Sequence, residues 1–411
     1  MRILPRLLRR VIHTGSLTLI GPDGTSETFG GTTPGPSVTI RITDPALDAK
    51  LLLNPELRFA EAYMDGGLEV APEDLRELLR LFKLNKKQLN RSPSQAIARR
   101  AARVVKRIIR NTPFRASRNA RAHYDIGNDL YRLFLDADMQ YSCAYFPQGN
   151  ETLEQAQLAK KRHIAAKLML RPGQRVLDIG CGWGGMALYL AQIADVEVLG
   201  ITLAQEQLEV ARERAEAAGL AGRVRFELRD YRALDGTFDR IVSVGMLEHV
   251  GATGLGTYFG TVRNRLAPDG VALIHSIMRG SASGVTSAFT AKYIFPGGYI
   301  PALSETVAAV EQSRLWLQDC EIWRKHYGYT IKHWARRFAA NRDQAKAMYD
   351  ERFCRMWELY LAGAESSFRT GRMAVMQLQL GHDRDAAPLS RDYMAAETEQ
   401  LRAREAEVGL A

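Results

Sequence analysis

The stretch RVLDIGCGWGG, Arg175 to Gly185, constrains the fold more than any other part of the chain. A short apolar run leads into a turn with glycine at 180, 182, 184 and 185. Glycines so placed let the backbone turn sharply and let a ligand come close to it. Six more runs of strand length follow: VEVLGIT (196–202), VRFELRD (224–230), FDRIVSVG (238–245), GVALIHSI (270–277), CEIWRKHY (320–327) and MAVMQLQLG (373–381). Helical patterns such as LAQEQLEVARERAEAAG separate most of them. Strands alternating with helices predict a mostly parallel, doubly wound α/β sheet. Ligands of such sheets sit beyond the carboxyl ends of the strands.

The glycine turn suits more than one ligand. A dinucleotide fingerprint calls for an acidic residue about 20 residues on, at the end of the second strand. Here that strand runs into TLAQEQ, which offers Thr202, Leu203 and Gln207 instead. No Lys-Ser/Thr pair follows the glycines, which argues against ATP. S-adenosylmethionine fits better: it has no phosphate and needs close backbone approach rather than an anion cradle. Gly180, Gly182 and Gly184 permit that approach, with Cys181 among them. Asp178 either positions the turn or accepts a bond from the cofactor's ammonium. In RDYRAL, Asp230 is placed to accept from the adenine amino group, and Tyr231 to pack nearby.

Charge is unevenly spread. The formal net charge is +10, yet thirteen Lys or Arg lie between Phe82 and Tyr124 with no Asp or Glu among them. The rest of the chain is close to neutral. Within this segment, RRAARVVKRIIR (Arg99–Arg110) places its six cations in an arc of about 120° on a helical projection. Three readings stand: a docked helix with a solvated basic face, a helix on an anionic membrane surface, and nucleic-acid binding. The last lacks interleaved aromatics and any recognised module, so no nucleic-acid partner is expected.

The segment also divides the chain. Residues 1–82 read as a small α+β domain, 83–122 as a basic amphipathic helical linker, and 123–411 as the α/β domain. In the first, SLTLI-GPDG-TSETFGG is a strand, a turn and a strand, SVTIRI is another strand, and three helix starts follow. No apolar run reaches the ~18 residues of a membrane span. The N-terminus, MRILPRLLRRVIH, is interrupted by arginines and does not read as a signal peptide. A cytoplasmic protein is expected. Cys143, Cys181, Cys320 and Cys354 form no C-x-x-C pair, so free thiols and no metal site are expected.

AHYDIGNDLYRLFLDADMQYSCAYF, VLDIGCGWGG, GITLAQEQ, DYR, GMLEHVG, LIHSI and HYGYTIKHW occur in this order between residues 122 and 334. Together they resemble the cyclopropane-fatty-acyl-phospholipid synthases and mycolic acid methyltransferases, over roughly residues 120 to 395. The resemblance implies a Rossmann-like, seven-stranded S-adenosylmethionine-dependent methyltransferase fold with a small N-terminal α+β domain. It implies methyl transfer to the double bond of an unsaturated phospholipid acyl chain, closing a cyclopropane ring. It further implies a bound bicarbonate as base, held by Cys143, Glu248, His275, Tyr327 and the backbone of Ile277. Glu248 and His275 are expected to act as a coupled pair. Glu248 is expected just after the fourth strand and Tyr327 at the end of the sixth. Tyr141 and Ser142, with Thr202 and Gln207, match the family's cofactor contacts. The implied setting is an anionic membrane surface on the inner face of the cell, and a homodimer is compatible with it.

One position departs from the pattern. Many family members carry a cysteine before a Phe-Arg pair in the late helix; LAGAESSFRTG has Ala364 there. Methylation without ring closure therefore remains open, as does a small-molecule amine as acceptor, and so does a non-catalytic lipid-binding protein on the same fold.

Overall fold

A computed structural model of the chain describes residues 4–51, 54–85 and 127–410. The basic helix expected at Arg99–Arg110 lies outside the described residues. The described residues form two compact units. One combines the N-terminal region with 285–295 and 331–371; the other holds 127–284, 296–330 and 372–410. This division differs from the sequence-based one, which kept 285–295 and 331–371 within 123–411.

The first unit carries a four-stranded sheet in the order β2-β1-β3-β4, with β1 Thr14–Ile20, β2 Ser26–Gly30, β3 Thr33–Ile42 and β4 Leu68–Val70. Asp23 closes the β1–β2 turn by accepting from the Thr25 amide at 3.1 Å and hydroxyl at 2.6 Å. Strand β3 alternates as a half-buried strand should, with Val38, Ile40 and Ile42 inward. Leu75, Leu78 and Leu81 of the helix Leu75–Leu84 belong to the same buried set. The next residue, Asn85, is fully buried. It accepts from the amides of His13 and Thr14 at 2.8 and 3.0 Å and donates to the carbonyls of Thr14 and Leu81, both at 2.9 Å. One amide side chain thus fixes the end of a helix to the start of a strand.

The second unit is built on seven strands in the order β10-β11-β9-β8-β5-β6-β7. They are β5 Arg175–Ile179, β6 Glu197–Thr202, β7 Val224–Leu228, β8 Phe238–Val244, β9 Leu266–Arg279, β10 Trp316–Trp323 and β11 Met373–Gly381. Strands β5 to β9 pair in parallel, and β11 is antiparallel to both β9 and β10. Both faces are covered, so β5 reads as a continuous apolar run rather than an alternating one. Val176 joins the buried cluster of Met186, Leu190 and Leu208; its neighbour Leu177 joins that of Phe259, Val262 and Val310. The chain leaves β5 toward β6 on one side and reaches β8 on the other. That switch point is where an open α/β sheet gapes at its carboxyl ends.

All seven expected strands are present, and one is displaced. The sixth lies at Trp316–Trp323 and not at 320–327. Arg324 and Lys325 are exposed at a bend, and a helix runs from His326 to Ala340. Thr330 donates back to the His326 carbonyl at 2.9 Å, a helical i to i−4 contact. Tyr327 therefore sits in the first turn of a helix, not at a strand end. Among the described residues no helix is long and apolar enough to cross a membrane.

Candidate active site

Gly180, Gly182 and Gly184 all have positive φ, 82°, 55° and 84°. They differ in what surrounds them. A Cβ on Gly184 would lie 2.6 Å from Phe226 Cζ, whereas one on Gly182 would meet nothing within 4 Å. Gly184 serves packing; Gly182 opens onto space. Asp178, at the end of β5, is 1% exposed, and its Oδ2 has no hydrogen-bond partner. Burial raises its carboxyl to about 7, against the pull of the Lys160 charge. A buried carboxylate oxygen with nothing to accept from, beside a glycine that opens onto space, fits a ligand bearing an ammonium group. S-adenosylmethionine is such a ligand.

The next two strand ends line the same edge. Thr202 and Gln207 are buried and touch through Oγ1 and Oε1 at 3.2 Å; Leu203 between them is half-buried. Asp230 follows β7, and both its oxygens take bonds from Arg232, at 2.8 Å from Nε and 2.6 Å from Nη2. Burial pushes its carboxyl up, but those bonds outweigh it and hold it below the usual range. Tyr231 is buried edge-on against Tyr258, ring centroids 5.4 Å apart.

A second layer comes from residues 136–146. Tyr141 packs edge-on to Tyr131 at 5.1 Å, and Tyr131 meets Trp183 of the glycine turn at 5.0 Å. Trp183 Nε1 donates to Asn128 at 2.7 Å. Ser142 Oγ accepts from Lys160 Nζ at 2.8 Å. Cys143 is buried, which pushes its thiol well above the ordinary range. The Ala144 amide donates to Thr330 Oγ1 at 3.0 Å, tying this loop to the helix that carries Tyr327.

Glu248 lies in a single 3-10 turn, Leu247–His249, just past β8. Because β8 ends at Val244, the Ile277 amide of β9 has no strand partner there and donates to Glu248 Oε1 at 2.6 Å. Glu248 Oε2 is buried without a partner. Burial raises this carboxyl to about 7, although the Ile277 bond pulls it down. Met246, two residues earlier, packs where a Gly180 Cβ would be, its Cγ 3.0 Å from that position. The Glu248 turn and the glycine turn are therefore neighbours.

Two expectations change here. His275 is buried on β9 and does not pair with Glu248. Its Nδ1 lies 3.1 Å from Gln377 Nε2 and its ring meets Trp323 edge-on at 5.1 Å. Gln377 can only donate through that nitrogen, so Nδ1 accepts, and burial holds the imidazole neutral. The Ile277 N–H, expected to face an anion, is bound to Glu248 instead.

Lys160 and its partner Gln140 escaped the sequence reading. The helix Leu153–Leu168 contains KKRH and resembles a solvated surface; only the folded chain reveals that Lys160 is 0% exposed. Trp183 stood within a quoted motif but had no assigned role. Among the described residues no cluster of His, Cys, Asp or Glu is arranged to hold a metal ion.

Such an edge, with its open glycine turn and unpartnered acids, belongs to an S-adenosylmethionine-dependent methyltransferase. A solved mycolic acid cyclopropane synthase complexed with S-adenosylhomocysteine superimposes with a TM-score of 0.61 at 32% identity, covering 64% of this chain and 97% of that one. Residues 112–378 match the family described as mycolic acid cyclopropane synthetase, and residues 7–94 match a domain family of unknown function. The cyclopropane-fatty-acyl-phospholipid synthase of Escherichia coli (strain K12) is 38% identical, over 82% of this chain and 86% of its own. A probable fatty acid methyltransferase of Pseudomonas putida is 37% identical, over 84% and 87%. The chain belongs to the mycolic acid cyclopropane synthetase family and is an S-adenosylmethionine-dependent methyltransferase.

Proposed function

We propose that a cyclopropane ring is built on the double bond of an unsaturated acyl chain in a membrane phospholipid. S-adenosylmethionine supplies an electrophilic methyl group, and its S–C bond is exchanged for a C–C bond to the alkene. An alkene is a weak nucleophile, so alignment is the main help a protein can give. Asp178 Oδ2 holds the cofactor's ammonium, the Gly180–Gly184 backbone lets it lie close, and Thr202, Leu203 and Gln207 bound it. Asp230 serves the adenine end through the Arg232 pair, with Tyr231 beside it. Tyr141 and Ser142 close the other side. These roles rest on position and on the family likeness.

Methyl attack leaves positive charge on the acyl chain, and ring closure needs a base for one proton of the added carbon. Bicarbonate is the base we assign. Glu248 fits it when protonated: Oε1 is fixed by Ile277, leaving an Oε2–H to donate to an anion. In this reading Cys143, His275 and Tyr327 gather around that anion, and the burial of Cys143 and His275, both neutral, keeps water from quenching the cation. Anionic lipid would be the docking surface, on the inner face of the membrane, with the 83–122 segment supplying positive charge. Light scattering distinguishes monomer from homodimer.

The observation that carries this reading is Glu248, a buried carboxyl with one oxygen pinned and the other unpartnered, next to the glycine turn. Its test is lipid mass spectrometry of a host expressing the chain. Unsaturated acyl chains should gain about 14 mass units and resist hydrogenation; a host expressing Glu248→Gln should lack the product. No gain with the wild type refutes the acceptor. A gain in a methyl-branched product instead supports the second reading, methylation without closure. Ala364 and the fatty acid methyltransferase relative favour that alternative.

A further inference from the structure

We propose that Lys160 is a positioning residue of the methyl-transfer site: its sealed ammonium fixes the Gln140–Cys143 segment and supplies the positive charge that readies Asp178 for the cofactor's ammonium. The proposal rests on the assignment of Asp178 to that ammonium.

Burying a lysine is expensive, and a buried one normally touches a carboxylate. Its neighbour Lys161 does so, 2.7 Å from Asp138. Lys160 does not. Its two hydrogen bonds among the described residues go to neutral groups, Gln140 Oε1 at 2.5 Å and Ser142 Oγ at 2.8 Å. Burial lowers the Lys160 ammonium to about 8, so below that pH it is charged, and with no contacting carboxylate to neutralise it the charge acts on groups further off. Those it faces are Asp136, Asp138, Lys161, Cys143, Asp178 and His275. Asp178 faces Lys160, Cys181 of the glycine turn and Tyr258 of the helix Leu255–Arg265.

The segment Lys160 grips is held in an unrelaxed shape. Met139 has φ of 54°, a left-handed conformation that a side chain disfavours. Asp136 accepts from the amides of Asp138 and Gln140 at 3.1 and 3.0 Å. Gln157, three residues before Lys160 and so on the same helix face, donates to the carbonyls of Gln140 and Ser142, both at 3.1 Å. The segment presses on the helix that follows the glycine turn: a Cβ on Gly185 would lie 2.3 Å from Gln140 Nε2. Moving Lys160 would therefore disturb Ser142 and Cys143 on one side and the cofactor turn on the other.

The test is S-adenosylmethionine binding to purified protein by calorimetry, from pH 6 to pH 7.5, where Lys160 keeps its charge, for wild type and Lys160→Gln. Removing the cation makes Asp178 harder to ionise. The Kd ratio of variant to wild type should then be about tenfold at pH 6, for a shift of about one pKa unit, and narrow to about threefold by pH 7.5. The cofactor's own titration cancels in that ratio. A ratio constant with pH means a structural role only and overturns the proposal. Should Lys160→Gln fail to fold, Asp178→Asn decides: it should flatten the acidic limb of wild-type binding, and an unchanged limb overturns the proposal. The readout is cofactor binding, so normal pH-dependent binding without any lipid product would sink the proposed acceptor and leave this inference standing.

Discussion

Replacing Glu248 by glutamine tests what burial does to the site. The carboxyl is sealed from water, with one oxygen bound to the Ile277 amide and the other unpartnered. Burial raises it from 4.5 to about 7. The folded state thus holds a proton that the unfolded chain has already released between those values. Stability linked to this group is intact below about pH 4.5 and falls as pH rises toward 7. At 1.36 kcal/mol per pKa unit the full loss is about 3 kcal/mol. Glutamine keeps an oxygen for Ile277 and carries no charge. In urea unfolding, Glu248→Gln should therefore gain on wild type by up to about 3 kcal/mol on going from pH 4.5 to pH 8. Cofactor binding should survive the change, and turnover should fall by at least about a hundredfold. A stability difference between variant and wild type that does not change with pH would refute the reasoning about burial. A near-normal rate would remove Glu248 from the chemistry.

Other outcomes follow from local geometry. Gly184→Ala forces a Cβ to 2.6 Å from Phe226 at positive φ and should cost at least about 2 kcal/mol in urea unfolding. Gly182→Ala meets nothing and should cost only about 1 kcal/mol while weakening cofactor binding at least about tenfold by calorimetry. In the N-terminal unit, Asn85→Leu strands the His13 and Thr14 amides and should destabilise by about 2 to 4 kcal/mol. Co-sedimentation with vesicles should require anionic lipid and weaken between 50 and 300 mM salt, conditions set about the Debye length; equal sedimentation with neutral vesicles would discard the docking role of residues 83–122.

The sheet was legible because its central strands are covered on both faces, and apolar runs as short as VLDI and ALIHSI suit a buried strand better than a helix. The sixth strand slipped because β10 is an edge strand whose residues are mostly half-buried, so neither alternation nor an apolar run marks its start. The apolar spacing of Ile331, Trp334 and Phe338 belongs to the helix that displaced Tyr327. The short strand Leu68–Val70 offers too few residues to show a period, whereas the helix Leu4–Val11 carries one, Leu4, Leu8 and Val11 at i, i+4 and i+7, that went unread among its arginines. At the site, glycines and acids could be named from motifs, but their partners could not. That Ile277 turns its amide to Glu248 depends on where β8 stops. That Lys160 is buried depends on a loop twenty residues earlier, and nothing in AKKRHIAAK announces it.

The central claim is that an acyl-chain double bond accepts the methyl carbon and closes a ring by losing one of its protons. The most direct measurement supplies S-adenosylmethionine with a fully deuterated methyl group to the purified enzyme, with vesicles of a monounsaturated anionic phospholipid. Mass spectrometry of the released acyl chains should find the added carbon carrying two of its three deuterons. Three retained deuterons, or label that never enters the acyl chain, would contradict the account.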